Sequence, residues 1–174
     1  DKLVSMTIYF YKTSELNGSS YIKLPLKSQA LLNIQNKDNY CFLWSILAHL
    51  HPCNNGHPER TSSYAEYFNE LNIDGFDFTN GFKTSDVKRF ETAKNLSINF
   101  FELKFYLEGE IWKHKLVPVE LSNSEYETKI DLLIYKNHYV LIKKLHIFIG
   151  NSKSKFICRR CLSCFEHEHV LKKH

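Results

Sequence analysis

Residues 36–50, NKDNYCFLWSILAHL, decide how this chain folds. Asn36, Lys37, Asp38 and Asn39 are polar turn formers. From Cys41 onward, Phe42, Leu43, Trp44, Ile46, Leu47 and Leu50 cover most of a helical circumference. A helix apolar nearly all round belongs in a core, and His51-Pro52 ends it. The stretch predicts a buried central helix over 41–50 with Cys41 at its start. That thiol is either a small core hydrophobe or a nucleophile, since a helix N-terminus favours the thiolate.

Working outward, MTIYFYKTS (6–14) and SSYIKLPLKS (19–28) read as short strands separated by an Asn17-Gly18 turn, and ALLNIQN (30–36) as extended. SSYAEYFNEL (62–71) reads as a short amphipathic helix capped by Thr61 or Ser62, and SDVKRFETAKN (85–95) as a helix capped by Ser85. LSINFFELKFYL (96–107), HKLVPVEL (114–121) and KIDLLIY (129–135) read as strands, and HYVLIKKLHIFIG (138–150) as one or two more. Strands, a helical block and then a strand run make an α+β domain over 1–150. GNSKSK (150–155) is a polar linker to a second unit over 151–174.

Composition bounds the function classes. Apolar residues make up 43% and aromatics 14% of 174 residues, which describes a globular chain with a real core and a small appendage. No apolar run reaches the roughly 18 residues of a membrane span, and no signal peptide is visible. A start at Asp1 without Met suggests a piece of something longer. The five cysteines, Cys41, Cys53, Cys158, Cys161 and Cys164, are odd in number and crowd toward the end. They suit a metal site plus free thiols in a reducing, intracellular setting, cytoplasm or nucleus. Residues 143–174 carry eight Lys/Arg against two Asp/Glu, while residues 1–142 carry 15 against 17, so a basic tail follows a near-neutral body.

The tail, FICRRCLSCFEHEHVLKKH (156–174), has Cys158 and Cys161 at knuckle spacing, and His174 after twelve intervening residues. With Phe165 and Leu171 at core positions it resembles a two-Cys, two-His ββα zinc finger. That resemblance implies a structural Zn2+ held by Cys158, Cys161 and His174. The fourth ligand is expected three to five residues past His174, or His169 substitutes; Cys164 and His167 read as bystanders. Lys172 and Lys173 on the finger helix suit weak nucleic-acid contact, with protein contact or simple capping as alternatives.

A nucleophilic Cys41 needs a base and an oxyanion donor. His138 in KNHYVLIK, after a tight Lys136-Asn137 turn, is the best base; His49 and His114 are alternatives. Gln35 and Asn36 offer side-chain amides upstream of the thiol.

These residues carry a resemblance to papain-like cysteine peptidases. Gln35 stands before Cys41 at the papain spacing, while Asn36 before Cys41, the aromatic Phe42 after it, and Tyr139 directly after His138 are similar to the Cys and His boxes of ubiquitin-specific proteases. NKDNYCFLWSILAHLHP with NHYVLIK and a terminal finger resembles viral-tegument-like deubiquitinases of viruses and mobile elements. The resemblance implies a central helix packed on an antiparallel sheet, and metal-free cleavage after the C-terminal Gly-Gly of ubiquitin or polyubiquitin by a monomeric enzyme. Tyr139 would narrow the substrate cleft. The orienting third residue stays open among Asn151, His146 and Asp131, or a dyad. A polyprotein-processing protease and a non-catalytic nucleic-acid-binding accessory domain are the competing functions.

Overall fold

A computed structural model describes residues 20–54, 56–150 and 156–174 of the chain. The strand expected at 6–14, the Asn17-Gly18 turn and Asn151 lie outside these residues. The central helix is α1 (Cys41–Leu50), and its first eight residues are buried. Phe42 anchors it, stacked on Phe82 at 3.8 Å and edge-on to Phe90. Aromatic pairs of this geometry add to what area burial already gives.

The sheet contains β1 (Leu31–Leu32), β2 (Leu96–Glu108), β3 (Ile111–Glu120), β4 (Thr128–Tyr135) and β5 (His138–Ile142). Its order is β1-β5-β4-β2-β3. The expectation of an antiparallel sheet is corrected here: β2 and β4 pair in parallel, and the other neighbours are antiparallel. Hairpin β2–β3 returns the chain to the end where β2 begins. The next strand then enters along the open side of β2 in the same direction. The class is α+β with a mixed sheet.

Ile98, Phe100, Ile130, Leu132, Tyr139 and Leu141 share one core cluster with α1. Phe101, Leu103, Leu133, Val140 and Ile142 form a second cluster on the other face. Burial on both faces explains why these strands read as near-continuous apolar runs.

Four local expectations change. Residues 20–28, expected within a strand, join no sheet. Residues 61–71 form two 3-10 segments, Thr61–Ser63 and Ala65–Leu71, broken at Tyr64 (φ −128°, ψ −1°), whose hydroxyl donates to the Pro58 carbonyl at 2.7 Å. Ser85 lies within a 3-10 turn, Thr84–Asp86, that leads into α2 (Val87–Lys94), so it does not cap that helix. Of the one or two strands expected over 138–150 the chain makes one, β5, followed by a short helix, α3 (Leu145–Phe148).

The tail has the expected ββα order: β6 (Phe156–Ile157), β7 (Cys164–Phe165) and α4 (Glu168–Lys173). It is docked on the body. Ile157 is buried in the second core cluster, and Arg159 forms a two-point ion pair with Asp131 of β4, at 2.7 and 2.9 Å. No helix among the described residues is long and apolar enough to cross a membrane.

Candidate thiol site and metal centre

Cys41 is held by the way α1 lies along β5. Ser45 donates to the Tyr139 carbonyl at 3.3 Å, and the Phe42 ring meets the Tyr139 ring at 5.5 Å. At the other end, His49 lines one cavity with Ile142 and Lys143. Helix and strand therefore run in the same sense, and Cys41 stands at the end where β5 begins. It shares the Ser45 face, one turn earlier. Burial, first of all, pushes the Tyr139 phenol far above its usual range, and the nearby Cys41 and Glu120 add to this. Tyr40, at the helix start, gives no side-chain cap.

His138 is placed by the turn before it. Lys136 and Asn137 both have positive φ, 48° and 60°. Two such residues make the two-residue hairpin whose twist matches the strands, and they set His138 opposite Tyr135. The imidazole is fully buried. Its Nε2 lies 2.7 Å from Asn33 Oδ1, and Tyr21 stands edge-on to the ring at 6.2 Å. The same Asn33 amide donates from Nδ2 to the Ile22 carbonyl at 2.9 Å. A carbonyl only accepts, so it fixes the amide's orientation; Asn33 Oδ1 then only accepts, so Nε2 carries the proton. In the neutral ring this leaves the lone pair on Nδ1. Strand alternation groups His138 with Val140 and Ile142, on the face away from α1, but it is the first residue of β5, directly after the hairpin turn.

Asn33 escaped the sequence reading. The signal available was one amide inside the apolar stretch ALLNIQN, and its partner lies 105 residues away.

The remaining candidates fall elsewhere. Asn36 is buried, but its Nδ2 donates to the backbone carbonyl and the carboxylate of Asp38, at 2.6 and 3.0 Å. That commits the proposed oxyanion donor to its own loop. Gln35 is exposed, and its backbone N–H donates to the Glu59 carbonyl at 2.7 Å. Asp38 organises the turn instead, accepting from the Tyr40 backbone N–H and the Trp44 indole. His49 is eight residues up α1 from Cys41, roughly 12 Å, and desolvation lowers its pKa against the opposing pull of Asp131. His114 is exposed on edge strand β3, across the sheet from β5. Neither is placed to serve Cys41.

Asp131 is also corrected as an orienting acid. It sits four residues before Tyr135 on β4, near the far end from His138, and it is held by Arg159 and by Asn99 at 3.0 Å. His146 follows the end of β5 on α3 and lines the cavity with His49, so it too lies away from His138. Tyr139 is corrected as a cleft wall: it is 1% exposed, and its hydroxyl donates to the Phe82 carbonyl at 3.1 Å. It is a core residue.

In the tail, the ligand atoms of Cys158, Cys161 and His174 lie within 4.8 Å of one another. The knuckle closes through Leu162 N–H on the Cys158 carbonyl at 2.7 Å, with Leu162 at φ 59°. Cys161 Sγ is 3.2 Å from both Ser163 Oγ and His174 Nε2. Hydrogen bonds from Ser163, then from His174 and Cys158, bring the Cys161 thiol down to about 6. Its ready thiolate is the form a metal takes. His169 is five residues before His174 on α4, well round the helix, and its ring stacks on His167 instead. It does not substitute as a ligand. Cys164 and His167 lie outside the cluster.

Comparison of the chain with known protein families, with curated proteins and with solved structures gives no match.

Proposed function

We propose that the chain is a thiol isopeptidase of papain-like design in which Cys41 is the nucleophile, His138 the base and Asn33 the residue that orients the base. The observation that carries this reading is the His138 Nε2–Asn33 Oδ1 contact of 2.7 Å at the end of β5 where α1 begins. Burying an imidazole and an amide in place of apolar groups costs stability unless they are paired, and such groups gather at functional sites. With Nε2 protonated against Asn33, Nδ1 is the basic nitrogen that takes the Cys41 proton.

The reaction follows. Cys41 Sγ attacks the scissile carbonyl carbon, and His138 holds the thiol proton. The C–N bond breaks, and the proton leaves on the amine. Water, deprotonated by His138, then attacks the thioester, and Cys41 departs with the proton returned to sulfur. Backbone N–H groups in the first turn of α1 stabilise the oxyanion in place of Asn36 or Gln35. Cys41 and His138 are both fully buried, so substrate entry requires neighbouring chain to move. Tyr21, edge-on to the imidazole, is among the groups that lift.

Ubiquitin is the proposed substrate, on the resemblance of the Cys41 and His138 boxes and on the mildly acidic body, which suits a basic partner. The tail is proposed to hold a structural Zn2+ on Cys158, Cys161 and His174. Two thiols and an imidazole are a zinc donor set, and the metal would cross-link the knuckle to α4. A ubiquitin carrying a C-terminal electrophile tests the function. The wild type should form a covalent adduct at Cys41 under reducing conditions, and Cys41→Ala should form none. Failure of the wild type, or equal labelling of Cys41→Ala, would sink the ubiquitin assignment.

A further inference from the structure

Two adjoining cavities open along the seam where the tail meets the sheet. One is about 690 Å3 and the other about 220 Å3, and Lys129, Ile157 and Arg159 line both. Their walls carry six cations: Lys129, Lys143, Lys144, Arg159, Arg160 and Lys172. The acids lining them are Glu125 and Asp131, and Asp131 is already matched by Arg159. Lys172 has a solvent-exposed partner in Glu168. Lys129, Lys143, Lys144 and Arg160 are exposed and make no ion pair among the described residues.

We infer that this seam binds a nucleic acid through its phosphates. The free cations come from three segments: β4 and the β5–α3 turn bring Lys129, Lys143 and Lys144 to one cavity, and tail docking adds Arg160 of the knuckle. They are spread along two cavities that share part of their lining and do not converge on a point, which fits a chain of phosphates better than a single anion. No Phe, Tyr or Trp lines either cavity, and the rings present are the imidazoles of His49, His146 and His174; with the cations outnumbering them, the contact is to backbone, without sequence preference. This site shares Lys172 with the finger-helix contact but is built mainly from the sheet and the knuckle, and it does not depend on the thiol chemistry.

The test is fluorescence anisotropy of the full chain with a labelled duplex of random sequence across a salt series. Four phosphate contacts give a log–log slope of about −3.6, roughly a hundredfold loss between 50 and 200 mM salt. Lys129→Glu/Lys143→Glu/Arg160→Glu should weaken binding at 50 mM salt by at least about thirtyfold and flatten the slope to about −1, with one of the four contacts left. The matching Gln triple guards against misfolding and should flatten the slope likewise. Lys88→Glu/Lys113→Glu/Lys115→Glu, the same charge change away from the seam, should stay within about fivefold of wild type. Cys41→Ala should bind as wild type. Absence of binding at 50 mM salt, or equal weakening by both Glu triples, overturns the proposal. Competition by polyglutamate as effective as by unlabelled duplex overturns it in favour of an acidic protein.

Discussion

Asp131→Ala removes the carboxylate that ties the tail to the sheet, and its cost can be worked from the partners left behind. Asp131 is buried and accepts from Arg159 Nε at 2.7 Å, Arg159 at 2.9 Å and Asn99 Nδ2 at 3.0 Å. The Asn99 amide is itself buried; leaving a buried neutral donor unsatisfied costs about 1–2 kcal/mol. The Arg159 side chain is 35% exposed, so water recovers some of its loss, and about 1–2 kcal/mol is the discounted figure. The sum is about 2–4 kcal/mol. A double-mutant cycle with Arg159→Ala, read by urea unfolding, isolates the pair, and we expect a coupling of about 1.5 kcal/mol or more. Hydrogen exchange supplies the local readout: backbone amides of 156–165 should lose protection in either single variant while those of β2 and β4 keep theirs. A coupling below about 0.5 kcal/mol with unchanged tail protection would refute a docked tail.

Tyr139→Ala should lose about 3–5 kcal/mol of stability, the cost of emptying a packed aromatic site, and Tyr139→Phe about 1 kcal/mol, the hydroxyl's bond to the Phe82 carbonyl; equal stability of the Ala variant and wild type would show a surface role instead. Cys161, its thiol near 6 without metal, should alkylate readily at pH 7 in the metal-free chain and be protected by one equivalent of Zn2+, whereas equal reactivity with and without Zn2+ would remove the metal site. His49 has a lowered pKa, so the folded state binds fewer protons than the unfolded state just below the usual 6.5, and stability falls as pH drops through that value. His49→Gln should flatten the slope of unfolding free energy against pH in that window, and an unchanged slope would show that another group carries it.

The helix at 41–50 was legible because six large apolar residues leave no polar face. The Lys136-Asn137 turn was legible because these turn formers separate the apolar runs on either side of them. The knuckle and the ββα order were legible because their geometry is local and their spacing fixed. The parallel pairing of β2 with β4 was hidden, since it depends on which edge of β2 the chain returns to, and both edges present the same backbone hydrogen-bonding groups. Asp131 drew attention as an acid inside KIDLLIY, but what it satisfies is Arg159, 28 residues on. Asn33 and His138 are 105 residues apart, and no local pattern announces a bond of that span. Asn36 looked like an oxyanion donor by spacing, yet its amide closes a loop with Asp38, a nearer partner that spacing alone does not rank.

The central claim is that His138 ionises Cys41, and the pH dependence of Cys41 alkylation measures it most directly. The rate of modification of Cys41 by iodoacetamide, mapped by peptide mass, is followed from pH 4.5 to 9.5 in wild type, His138→Gln and Asn33→Ala. In wild type the rate should remain substantial on the acid side of neutrality, because a thiolate beside an imidazolium persists well below the ordinary thiol value of about 8.5. In His138→Gln it should collapse to a single rise at about that value or above, and Asn33→Ala should fall between the two. Superimposable profiles for wild type and His138→Gln, or a Cys41 inert throughout, would contradict the account and leave Cys41 as a core residue.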